Sequence, residues 1–144
     1  MQTRFNRLFQ ILVLTLFFLA TALPLHAEEA KYEPLPGEGK KVEIGEGYSF
    51  VYNFAKKPQL GITIIKIEVM DKDGKKDSSL NIIGNSWMPS MPGHHNSGDV
   101  PFKLNDKGDY LLPVDVVMPG GWEIKLIFSN KDKVLYRGVI KFDI

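Results

Sequence analysis

The sequence predicts an all-β fold, an immunoglobulin-like antiparallel β-sandwich of about seven strands preceded by a signal peptide. Three observations predict it. Beyond residue 47, apolar side chains recur at every second position in run after run. Turn-forming clusters separate these runs at near-regular spacing. No convincing helical period of apolar residues is found in the same region.

The elements follow in order. Arg4 and Arg7 make a basic start, Leu8 to Leu25 is almost wholly apolar, and Leu25-His26-Ala27 ends on a small residue before Glu28 and Glu29. This is the pattern of a secretory signal over residues 1–27, with cleavage expected after Ala27. The apolar run also approaches the roughly 20 residues that span a bilayer, so an uncleaved anchor is the alternative. Residues 28–46 are polar and rich in Gly, Pro and Glu, and read as a flexible lead-in. Residues 47–144 form the expected domain.

Within that domain Tyr48, Phe50, Tyr52 and Phe54 share one strand face. Thr63, Ile65, Ile67 and Val69 share another, with Lys66 and Glu68 pointing away. Leu80 to Trp87 is a third candidate and Val100 to Leu104 a short fourth. Tyr110, Leu112, Val114 and Val116 alternate next, then Trp122, Ile124, Leu126 and Phe128, and finally Val134, Tyr136, Ile140 and Phe142. Asp71-Lys72-Asp73-Gly74, Asn105-Asp106-Lys107-Gly108 and Met118-Pro119-Gly120-Gly121 are turn signals. The first opens like a calcium loop, but its twelfth position is Ile82 rather than Glu, which favours a hairpin turn. Trp87 and Trp122 are expected in the core or at its edge.

Removing residues 1–27 takes both arginines of the leader, leaving 16 basic against 17 acidic residues. Such a balance is poor for binding polyanions, and no nucleic-acid partner is expected. The pairs Lys40-Lys41, Lys56-Lys57 and Lys75-Lys76 are spread along the chain as loop charges. The absence of cysteine excludes disulfides and a lipoprotein anchor. No Gly-x-Ser-x-Gly or His-Glu-x-x-His motif is present. No carboxylate pair stands out, and the expectation is a non-catalytic domain. Export places it in the periplasm or another extracytoplasmic space, touching membrane only through an uncleaved signal segment.

The densest chemistry lies in Trp87-Met88-Pro89-Ser90-Met91-Pro92-Gly93-His94-His95. Thioether and imidazole are soft and borderline ligands that suit copper, above all Cu(I). Met88, Met91, His94 and His95 are therefore candidate metal ligands. Two histidines without Cys or Glu nearby leave a zinc tetrahedron incomplete. The alternative is a purely structural role, with Met88 and Met91 plugging the end of the sandwich and the histidines in water. Consecutive residues of an extended chain project oppositely, so both imidazoles can serve one ion only if the backbone bends at Gly93. If consecutive strands run antiparallel, residues 56–60, 88–98 and 118–121 fall at one end of the sandwich. That adds Met118 to the candidates. The turns at 71–78, 105–108 and 129–133 fall at the other end.

Three segments in order carry a family likeness. They are Met88-Pro89-Ser90-Met91-Pro92-Gly93-His94, then Lys107-Gly108-Asp109-Tyr110, then Val117-Met118-Pro119-Gly120-Gly121-Trp122-Glu123-Ile124. Together they resemble the YtkA-like domain over roughly residues 45 to 142. A thinner likeness is to the FixH family of oxidase-assembly accessory proteins. The resemblance implies a small exported immunoglobulin-like domain associated with copper handling, with an envelope metal-handling or oxidase-assembly protein as partner. It implies no catalytic residues. A metal-free adaptor domain of the envelope is the alternative, with Trp87, Met88, Met91 and Trp122 as its apolar contact patch.

Overall fold

Alternating burial organises the structure, a computed structural model that describes residues 30–144. The expected signal, its cleavage after Ala27 and the alternative of an anchor lie outside the described residues. Among those described, no helix is long and apolar enough to cross a membrane.

Six longer strands carry the core: β3 (Ser49–Phe54), β4 (Gly61–Met70), β6 (Asn81–Trp87), β9 (Tyr110–Val116), β10 (Gly121–Asn130) and β11 (Lys133–Asp143). Five two-residue strands complete the sheets: β1 (Glu33–Pro34), β2 (Val42–Glu43), β5 (Lys76–Asp77), β7 (Val100–Pro101) and β8 (Lys103–Leu104). One sheet has the order β1-β11-β10-β6-β7. The other has the order β2-β3-β4-β9-β8, with β5 also paired to β4. All pairings are antiparallel except β1 with β11. The architecture is the expected all-β sandwich.

The core is the inward half of each alternation. Phe50, Ile65, Ile67, Val69, Leu112, Val114, Trp122, Ile124, Leu126 and Phe128 are all buried. Phe50 of one sheet stacks on Phe128 of the other at 4.3 Å between ring centroids. Aromatic packing of this kind holds the layers together where no disulfide is possible. Gly84 is demanded by the same packing: a Cβ there would lie 2.5 Å from Leu112 Cδ2.

Three differences from the sequence reading have physical causes. Residues 33–44, expected as part of a flexible lead-in, are tied to both sheets. β1 pairs with β11 and β2 with β3. The Tyr52 hydroxyl donates to Pro36 O at 2.9 Å. Leu35, Val42 and Ile44 reach the core between polar neighbours, too sparsely to make a period. Second, the run from Val100 to Leu104 is two strands. β7 joins β6 in one sheet and β8 joins β9 in the other. Buried Phe102 sits where the chain changes layers. Third, only Trp122 is a core tryptophan. Ile82, Gly84, Ser86 and Met88 take the inward positions along β6, which sends Trp87 to the outer face. There Lys125 Nζ lies 4.8 Å from its ring centroid.

Candidate functional site

The register brings the Met/His loop and the 118–121 turn to one end. Glu123 pairs with Trp87 and Gly61 with Val116. The chain leaving β6 therefore meets the chain entering β10 beside the loop that enters β4. Met88 Cε lies 3.1 Å from the position a Cβ on Gly120 would occupy. The Trp122 indole donates to Met118 O at 3.2 Å. Gly120 and Ile144 exchange two backbone hydrogen bonds, each 3.2 Å.

The loop itself is a pair of successive turns. Met91 N–H donates to Met88 O and His94 N–H to Met91 O, both at 3.0 Å. Its return is clamped to β6: Ser97 N–H donates to Ser86 O, and Ser86 N–H donates to Ser97 Oγ, both at 2.9 Å. Gly93 has φ +80° with open space around it, so backbone conformation alone asks for glycine there. His95 follows at φ +56°. These two left-handed residues make the bend that lets both imidazoles approach one another. Their ring centroids are 6.5 Å apart.

The five candidate donors differ in position. Met88 is 2 % exposed and belongs to the hydrophobic core. Its thioether is a packing group that would have to leave the core to meet an ion at the tip. Met91 and Met118 are half-buried and pack against that core from the two loops. His94 and His95 are exposed. Two imidazoles sharing an ion at the usual metal–nitrogen length have centroids at most about 6.4 Å apart. The observed pair is just beyond that limit, within reach of a side-chain rotation. Among the described residues no group of three or more His, Asp or Glu is placed to hold a metal. Of the five candidates, His94, His95, Met91 and Met118 are thus the ones not enclosed in the core.

The patch expected from Trp87, Met88, Met91 and Trp122 does not form, because Met88 and Trp122 are buried. Of the exposed large apolar side chains, Leu60, Ile62, Ile64 and Val117 lie in or beside the loops of this end, whereas Leu104 and Val134 lie elsewhere. The sequence signal for the exposure at this end was the run Ile62-Thr63-Ile64-Ile65, which is apolar on both faces of β4 at once.

Comparison with known proteins came to the same fold. The YtkA-like family model matches residues 43–127, more than half of the chain. No curated protein matches. The crystal structure of a DUF4426 family protein from Pseudomonas aeruginosa superposes with a TM-score of 0.51 at 12% identity. That alignment covers 73% of this chain and 96% of the other. At such identity the likeness is one of fold. With the ordered Met/His, Gly-x-Tyr and Met-Pro-Gly segments and the family match on one sandwich, this chain belongs to the YtkA-like family.

Proposed function

We propose that this protein is an exported, non-catalytic copper-binding domain that takes up or delivers Cu(I) at the tip carrying the Met/His loop. The observation that carries the reading is the bend at Gly93 and His95, which leaves two exposed imidazoles 6.5 Å apart on a loop clamped to β6. His94 and His95 are the primary ligands, and Met91 and Met118 are the soft donors that complete the set. Met88 supports the loop from the core. Cu(I) accepts few ligands without strict geometry, and methionine remains usable where thiolates would oxidise. The partner is an envelope protein that handles the same metal, an oxidase-assembly factor among the candidates.

The test is a competition titration of the purified protein with Cu(I) under reducing conditions, against a chelator of known affinity. Met91→Ala with His94→Ala is expected to weaken Cu(I) binding at least tenfold without unfolding the domain. An unaltered affinity in the double variant rejects the assignment. A second reading, a metal-free interaction domain, is favoured by the exposed Leu60, Ile62, Ile64 and Val117. Absence of Cu(I) binding in the native protein would leave that reading in place.

A further inference from the structure

The outer face of the sheet containing β4 is divided along its length. Toward the 71–78 end it is charged, with Lys66 and Glu68 ion-paired on β4. Toward the Met/His end it turns apolar. Ile62 and Ile64 lie in phase with Lys66 and Glu68 and so project outward. Pro113 stands opposite Ile64 in the register. Ile62 is 62% and Val117 50% exposed. A cavity of about 130 Å³, bordered by Ala55, Gln59, Ile62 and Ile64, opens on the same face.

Opposite charges flank this patch. Lys56 and Lys57 are exposed on the loop joining β3 to β4. Asp115 is exposed on β9, across from Ile62. Among the described residues none of these three forms a salt bridge. β3 and β9 are the neighbours of β4 on its two sides. The cations and the acid therefore sit on opposite flanks of one apolar strand.

We propose that this face is a self-association surface on which a second copy of the same chain docks, about a two-fold axis running along β4. A two-fold contact requires a surface complementary to itself. Rotation about that axis sets Ile62 and Ile64 against their counterparts. It also exchanges the flanks, laying Asp115 of each copy over Lys56 and Lys57 of the other. The contact is sheet on sheet, a geometry in which apolar side chains interdigitate across about 10 Å. An anionic bilayer is a poorer occupant, because it would meet an unpaired Asp115 beside the apolar groups. The inference stands apart from the copper reading.

The chain contains no cysteine, so a single substitution introduces a unique thiol. The experiment uses the full chain carrying Ile62→Cys or Ile64→Cys and a short bis-maleimide cross-linker, scored as covalent dimer on a denaturing gel. Lys141→Cys on the other sheet is the control, since the native Lys141 side chain is also 62% exposed. Both isoleucine sites are expected to yield several-fold more dimer than the control. Lys56→Glu with Lys57→Glu should cut the Ile62→Cys yield several-fold, and adding Asp115→Lys should restore it. Equal yields at Ile62→Cys and Lys141→Cys overturn the proposal, as does a charge reversal that Asp115→Lys fails to rescue.

Discussion

The two ends of the sandwich use their polar side chains in opposite ways. At the end formed by residues 71–78 and 105–109 they close on one another. Asp109 is buried and accepts hydrogen bonds from Lys76 Nζ and Asn105 Nδ2. Asn105 Oδ1 accepts the backbone N–H groups of Lys107 and Asp109, each at 2.9 Å. Asp71 Oδ1 does the same for Asp73 and Lys75. At the opposite end two imidazoles stand in solvent and two thioethers are half-covered. The first set of side chains builds turns. In the second, the imidazoles bond to no other part of the fold among the described residues, and the two thioethers pack at the margin of the core. Glycine serves both ends, at Gly74 and Gly108 as at Gly93 and Gly120. Of the two ends, only the Met/His end has proline in its loops, at Pro58, Pro89, Pro92 and Pro119. The contrast in what the side chains bond to comes on top of that difference.

The largest expected effect tests whether the Met/His end has a structural underlayer. Trp122→Ala removes a 2 % exposed side chain that also hydrogen-bonds Met118 O, and should cost about 3–5 kcal/mol in denaturant unfolding. A loss below 1 kcal/mol, well under the usual range, would mean that the core does not extend beneath the loops. Next comes the closed end. Asp109→Ala removes the acceptor of Asn105 Nδ2 and one of the acceptors of Lys76 Nζ, which keeps Lys107 O and Glu68, and should cost about 1 kcal/mol.

The same carboxylate predicts an acid response. The hydrogen bond from Lys76 is the main cause that holds Asp109 below the ordinary carboxylate range, against the opposing effect of burial. A depressed folded pKa contributes stability above the unfolded value, and that contribution is lost as pH falls through the folded value. Acid unfolding monitored by circular dichroism should therefore flatten in Asp109→Ala over that interval. An unchanged acid transition would contradict the assignment.

Tyr110, whose hydroxyl donates to Leu80 O at 2.8 Å, gives the alkaline counterpart. Burial, with a smaller contribution from Asp77, pushes its pKa from 10.0 up to about 12. A raised folded pKa means full stability below pH 10 and a decline as pH rises from 10 toward about 12. Tyr110→Phe should lose the share of that decline due to this residue; an identical alkaline profile would count against it. The smallest effect is expected at the open end. His94→Ala and His95→Ala should each shift stability by no more than about 0.5 kcal/mol. A larger loss would show that the exposed loop holds up the fold.

Much of this architecture was legible in the alternation itself. Thr63, Ile65, Ile67 and Val69 were expected on one face and are buried together. Counting chain reversals was enough to bring the loops at 88–98 and 118–121 to one end, and Met88 beneath Gly120 bears this out. The site was less legible. Residue types nominated Met88 beside Met91, yet the core takes the first and leaves the second at its margin. The bend that brings His94 and His95 together depends on two left-handed residues, only one of which is glycine. The apolar half of the outer sheet face was hidden because Ile62 and Ile64 adjoin an equally apolar inward set.

The sequence by itself determined a β-sandwich and the order of its six longer strands, because neighbouring side chains of a strand must face opposite sides. It also marked where soft donors gather. Alternation does not say which of two apolar faces meets the other sheet. Tertiary packing alone decided that Met88 points in and Trp87 out. It decided that residues 33–44 strap both layers and that the chain changes sheets at Phe102. Those outcomes depend on which apolar groups find partners across the core, and such contacts join residues far apart in the chain.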